Sequence, residues 1–281
     1  MGTGARMAEI EAREAFLAAA REVTPYVAVE VGDELFFVAT DDTGVGRRVF
    51  VRGKRKDMTA LETGLAELSA RGFRPPRDPV FVEVGANMGT TTVMALRRHG
   101  FATAVALEPS PQNVWLLRLN LVANGLEERV TLLPVAASNR AEEMDLVIGG
   151  GNRGGHGVAP AGSGHPHLAG RVRSITLDSL VEDGTVDPAT VGLLWCDAAG
   201  HDAYAVLGAT RLVEARVPLI VTVGPKIDGE TRDAFVELIA PSYSEIVELR
   251  KGRRSLPIDS LADLVAGYRH KGDVLLVPRR P

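Results

Sequence analysis

The stretch DAAGHD, residues 197–202, sets three proton-handling side chains within six positions. Asp197 closes the wholly apolar run VGLLWC, where a carboxylate loses hydration unless it has a partner or a task. His201 follows four residues later on the same edge. An imidazole titrates near neutrality, which makes His201 a candidate general base, or else a helix-start histidine that only binds backbone or water. Asp202 supplies a second carboxylate. Upstream, FVEVGANMGTTT passes from β-formers into a helix across Gly85 and Gly89, a backbone bare enough for a ligand to approach closely. Glu108 ends the next strand-like run, 23 residues after Gly85. A carboxylate there can accept hydrogen bonds from both ribose hydroxyls, or cap the following helix.

The spacing discriminates among nucleotide ligands. Gly85-Ala86-Asn87-Met88-Gly89 lacks the third glycine of G-x-G-x-x-G and the lysine of a phosphate-binding loop, which argues against dinucleotides, ATP and GTP. Close backbone approach plus a ribose-binding acid describes an adenosine ligand without a pyrophosphate. S-adenosylmethionine (SAM) fits that description.

These residues need a scaffold that brings strand ends together. From residue 79 the chain alternates strand and helix: PVFVEV, a helix from about Met88 to Arg98, ATAVALE, a helix through PQNVWLLRLNLVANG, RVTLLPVAA, VGLLWCD, the helix HDAYAVLGATRLVEA, and VPLIVTV. Apolar strands between helices predict a parallel sheet covered on both faces, with its strand C-termini along one ligand-binding edge. The tail, YSEIVELR and DVLLVP around a short helix, predicts an antiparallel pair at the sheet's end. Residues 1–75 read as a cap: a helix over 7–22, a hairpin of YVAVEV and ELFFVAT, a third strand at RRVFVR, and a helix at MTALETGLAELSARG closed by Gly72. Residues 76–281 form the main domain. Within it the segment 149–170, rich in glycine and carrying His156, His165 and His167, reads as one long loop: a floppy insertion, a substrate lid or a histidine metal site.

Composition narrows the classes. A chain of 281 residues with 45% hydrophobic and 24% charged residues suits one large soluble domain with a modest extension. A formal charge of −4 predicts no general affinity for nucleic acid or acidic membranes, and the basic runs RGKRKD and RKGRR read as solvated turns between strands. Glu9, Glu11 and Glu14 break any signal-peptide core, and no stretch approaches the roughly 18 apolar residues a membrane span requires. The single Cys196 reads as a buried structural thiol and fits a cytoplasmic protein. The histidines are too few and scattered to predict a metal.

The blocks FVEVGANMGTTTVMAL, VALEPSPQNVWLLRLNLVANGL, LLPVAASNR, SITLDSLV and DAAGHDAYAVLGA, in this order over residues 79–225, resemble the FkbM-type SAM-dependent methyltransferases. The resemblance implies an α/β fold of class I, Rossmann-like and mostly parallel, with SAM as cofactor. It also implies O-methylation of a small secondary metabolite or sugar-containing acceptor. It implies that Glu83, Gly85, Asn87 and Gly89 surround the methionine part and adenosine. Glu108, with Pro109 beside it, holds the ribose, Ser138 and Asn139 flank the adenine, and Asp197 stands at the reacting end. The family's Asp-x-Glu/Gln-Gly-x-Glu reads here with Ala199 and Asp202, and Thr222 stands where the next strand carries a Glu. That trimming keeps two alternatives in play: a repurposed fold performing cyclisation or elimination, or a non-catalytic partner subunit. The expected partners are a small-molecule acceptor and a second copy or a partner protein.

Overall fold

The computed structural model describes residues 3–54, 58–225, 227–249 and 254–280. Helix α1 (Thr3–Arg21) leads into a hairpin of β1 (Tyr26–Val31) and β2 (Glu34–Ala39), turned at Gly32 with φ +70°. Next come α2 (Val45–Arg52) and α3 (Met58–Ala70). The alternating region is β3 (Val80–Val84), α4 (Thr90–Arg98), β4 (Thr103–Leu107), α5 (Pro111–Ala123) and β5 (Val130–Leu133). Four short strands follow: β6 (Ala136–Ala137), β7 (Glu143–Val147), β8 (Gly157–Pro160) and β9 (Leu168–Ile175). Then α6 (Leu177–Glu182), β10 (Val191–Cys196), α7 (Asp202–Leu207), α8 (Thr210–Glu214), β11 (Leu219–Val223) and α9 (Gly229–Ile239) resume the alternation. The chain closes with β12 (Tyr243–Glu248), β13 (Ser255–Pro257), α10 (Leu261–Gly267) and β14 (Gly272–Pro278).

The main sheet has the order β13-β12-β14-β11-β10-β3-β4-β5. Strands β5, β4, β3, β10 and β11 are parallel, whereas β14 runs antiparallel to β11, and β12 antiparallel to β14. The expected mostly parallel sheet with an antiparallel C-terminal pair is therefore present. Successive residues of β3 feed opposite cores. Phe81 joins Trp195 and Leu116 on one face, together with Phe36, Val38 and Leu61 from the N-terminal elements. Val82 joins Leu194, Val206 and Phe235 on the other. The open edge of β2 is satisfied from α5. Asn120 accepts from the Phe37 amide at 2.7 Å and donates to its carbonyl, and Asn124 does the same for Leu35.

Three local expectations need correction. RRVFVR is helix, not a third strand: both carboxylate oxygens of Asp42 accept amides of Gly44 and Gly46 at the helix start, and Gly53 ends it in the left-handed region at φ 56°. The predicted helix through HDAYAVLGATRLVEA is broken into α7 and α8 at Gly208, where a Cβ would lie 2.0 Å from the Ser138 carbonyl oxygen. The Gly-rich segment is not one loop, because its two halves pair with β7 in a small sheet of order β6-β9-β7-β8. Of the basic runs, RGKRKD lies between helices, and the rest of it (55–57), like most of RKGRR (250–253), lies outside the described residues.

Candidate active site

Strands β3 and β10 are neighbours in the sheet, but their crossovers lead to opposite sides, so their C-terminal ends form the crevice where open α/β sheets take ligands. The chain leaving β3 makes a tight turn in which Gly85 (φ 81°), Asn87 (φ 53°) and Gly89 (φ 85°) all adopt left-handed conformations. The Gly85 and Ala86 amides both donate to the Leu107 carbonyl, drawing the turn against β4. Glycine is required at 85 because a Cβ there would sit 2.1 Å from the carbonyl oxygen of Asp197.

Glu108 stands just beyond β4 and is 4% exposed. One carboxylate oxygen accepts the Asn87 amide at 2.8 Å; the other accepts the Ser110 amide at 2.8 Å and the Asn113 side-chain amide at 3.4 Å. Burial raises its pKa, and these hydrogen bonds oppose the shift. Each carboxylate oxygen has two acceptor directions, so with three filled one remains for a ligand hydroxyl. Glu108 thus holds the start of α5, and it also faces a cavity.

That cavity is a narrow cleft. Gly85, Asn87, Glu108, Pro109, Asp197 and His201 line it, together with Asn113, Arg153, Gly154 and His156. A small side chamber adds Glu83, Thr90 and Thr91 from beneath the glycine turn and shares Gly85, Asn87 and Asp197 with the cleft. Glu83 is 2% exposed and accepts the Thr92 hydroxyl. Gly89 packs on Leu117 behind the turn instead of lining either space. Ser138 and Asn139 also lie behind the wall: Ser138 Oγ meets His201 Nε2 at 2.9 Å, and Asn139 is exposed.

The second catalytic block is equally specific. Asp197 donates its amide to the Val84 carbonyl and lies beside Gly85. His201 stacks on Tyr204 with ring centroids 4.6 Å apart, and burial pushes its pKa down to about 4. It is a neutral imidazole at neutral pH, far from the titration range that its residue type alone suggests. Asp202 is 3% exposed; its two oxygens accept the Ala198 and Gly200 amides at 2.6 and 2.9 Å, and burial with the nearby Asp197 charge raises its pKa. It fastens the turn and does not line the cleft. Cys196 is buried, and its thiol pKa is raised by burial, as for an inert structural thiol.

The glycine-rich segment, for which a substrate lid is one of the readings, contributes a strap to the cleft wall, and what the sequence did not single out is how it is anchored. Residues 151–157 cross its mouth, tied to the N-terminal hairpin: the Thr43 amide donates to the Gly151 carbonyl, the Arg153 amide to Asp42, and the Arg153 guanidinium to both oxygens of Asp41. On the other side Asn113 donates to the Arg153 carbonyl, and His156 Nδ1 meets Ser110 Oγ at 3.2 Å. Gly157 faces Ala199, with 3.5 Å from an added Cβ to the alanine methyl, so the trimmed side chain at 199 is matched by a glycine above it. His165 and His167 are exposed and apart from this site. Among the described residues no cluster of three His, Cys, Asp or Glu could hold a metal. Two buried polar atoms along the cleft lack partners, Asn113 Oδ1 and Arg153 Nη1. An acceptor and a donor left orphaned at a cavity wall are what a polar ligand with hydroxyl and ring-nitrogen groups would satisfy, so the site fits an adenosine-bearing group.

No helix among the described residues is long and apolar enough to cross a membrane. No curated protein sequence matches the chain. Similar solved structures include a SAM-dependent methyltransferase from Agrobacterium tumefaciens (10% identity, TM-score 0.45, covering 92% of this chain and 71% of that one). Others are TYW2 of M. jannaschii in complex with AdoMet (12%, 0.43, 90% and 85%) and cofactor-bound Rv0187 from MTB (15%, 0.42, 96% and 91%). Residues 83–251, from the end of β3 through β12, match the methyltransferase FkbM domain, and the chain belongs to that family.

Proposed function

We propose that the chain transfers a methyl group from SAM to a hydroxyl of a small-molecule acceptor, in the cytoplasm and in secondary metabolism. The observation that carries the reading is the convergence of the Gly85 turn, the buried Glu108 carboxylate and Asp197 on one cleft at the sheet's switch point. SAM, when bound, supplies a sulfonium methyl that an acceptor oxygen displaces in line. The chain's share is alignment and exclusion of water. Glu108 would accept a ribose hydroxyl through its remaining acceptor direction. Asn113 Oδ1 and Arg153 Nη1 would take polar atoms of the same ligand, and the absence of a Cβ at Gly85 lets the Asp197 backbone close against the glycine turn. The strap at 151–157 would keep water from the cleft.

The acceptor's proton needs a base. His201 stays neutral, but its pKa of about 4 makes it a weak one, and its Nε2 already meets Ser138. Asp197, which borders both the cleft and its side chamber, is the better placed group. His201 then serves as an uncharged wall beside the adenine, and Asp202 as the brace of the turn. Calorimetry with SAM and S-adenosylhomocysteine (SAH) tests the reading: both should bind, and Glu108→Ala should weaken both by roughly 1–3 kcal/mol. No binding of either would refute it. Turnover of a genuine substrate without SAH formation would instead favour a repurposed fold.

A further inference from the structure

Helix α5 buries one side in the main core and leaves the other to solvent. Trp115, Arg118, Leu119 and Val122 recur at three- and four-residue spacing along that free side, with Trp115 47% and Val122 57% exposed. The apolar surface does not stop at the helix. The Trp115 ring meets that of Tyr26 with centroids 4.5 Å apart, and Tyr26 belongs to the hairpin face opposite Val29, Val31, Phe36 and Val38, which fill the core. Leu35 and Phe37 of the same face are half-buried, and Asn124 and Asn120 tie their backbones to α5. A tryptophan held by a tyrosine and flanked by aliphatic side chains is a rigid apolar surface of the kind that anchors interfaces.

The charges on this side of α5 lie in opposite senses about its end. Arg118 stands four residues before Val122, and Glu127, in the short 3-10 turn Glu127–Arg129, stands five residues after it, with Glu128 next. All three are exposed, and none makes an ion pair or a side-chain hydrogen bond among the described residues. A two-fold axis beside Val122 would set Arg118 of one copy level with Glu127 of another, and the reverse, while Leu119 and Val122 meet between them. Exposed ion pairs add little affinity, but they select the partner and fix the register; the apolar surface supplies the binding.

We infer that this face binds a second copy of the chain, with α5 antiparallel to its counterpart and Arg118 of each copy against Glu127 and Glu128 of the other. The association is independent of the reaction in the cleft, because Asn113, the α5 residue that lines the cleft, is buried on the opposite side of the helix.

Sedimentation velocity on the full chain tests this pairing. The unaltered protein should sediment as a dimer at about 100 μM, where a complex of micromolar Kd is largely associated. Val122→Asp, which brings two like charges together at the axis, should weaken the dimer at least tenfold while the far-UV circular dichroism stays that of the unaltered chain. Arg118→Glu should do the same. Arg118→Glu combined with Glu127→Lys and Glu128→Lys exchanges the charges and should return association to within about threefold of the unaltered chain. A monomer at every concentration, a dimer indifferent to Val122→Asp, or a folded charge-exchanged variant that stays monomeric would overturn the inference, and none of these results would touch the cofactor reading.

Discussion

Replacing Gly85 by alanine tests the core of the site with one methyl group. At φ 81° an L-residue with a Cβ costs about 1–2 kcal/mol over glycine. The new Cβ also falls 2.1 Å from the Asp197 carbonyl oxygen and 2.9 Å from its carbon, and both are backbone atoms that cannot rotate away. Relief requires the ends of β3 and β10 to part, against the Asp197 amide bond to Val84 at 3.0 Å. Overpacking of this kind adds about 1–3 kcal/mol, for a total of roughly 2–5 kcal/mol. Gly89→Ala is the internal control. Its φ is 85°, so the conformational cost is equal, but its Cβ meets the tip of Leu117, a side chain that can turn aside. Urea denaturation should therefore show Gly85→Ala to be the more damaging by about 1 kcal/mol or more, with SAM affinity falling in step. Equal or smaller destabilisation at 85 would refute the claim that glycine is there to let β3 and β10 close on the ligand.

Burial of His201 gives a pH signature: above about 6.5 it is neutral in both states, but as pH falls toward about 4 the unfolded chain takes a proton that the folded one refuses. Stability should fall across that window by at most about 3 kcal/mol, and His201→Gln should flatten the slope in denaturation curves measured from pH 7 to pH 4. Asp197→Asn should depress turnover roughly 10²–10⁴-fold with SAM affinity little changed, and a larger loss in His201→Gln would return the base role to the imidazole. Arg153→Ala, which cuts the strap from Asp41, should speed SAH dissociation and proteolytic nicking within 149–160; unchanged rates would make the strap a passive insertion.

What could be read in the sequence was what the local chain decides. The apolar runs fix β3, β4, β10 and β11, and the glycines at 85 and 89 and the acid at 108 are legible by type and spacing, although what they touch, Asp197 for Gly85 and Asn87 for Glu108, lies far along the chain. RRVFVR misled because its alternation of charged and apolar residues mimics a strand. The helix is set by residues outside that motif, Asp42 before it and Gly53 after it, with Val45 and Val49 buried on one face. The pKa of His201 could not be read at all, since it comes from burial, which the charge of Glu142, far away in sequence, only partly opposes. Asn113 was hidden in plain view, a polar residue inside an otherwise apolar helix, whose role appears only when Glu108 and the strap close around it.

The strap and the 197–202 turn fit together through small residues. Ala199 and Gly157 meet across the cleft mouth, and Gly154 lies against Val45 and Asn87 with no room for a larger residue. The strap needs small residues where it crosses the turn and an anchor where it leaves, and Arg153 with Asp41 and Asp42 supplies the anchor. Residues 41–45, which precede the matched family region, thereby reach the cleft: Asp41, Asp42 and Thr43 hold the strap, and Val45 lines the side chamber.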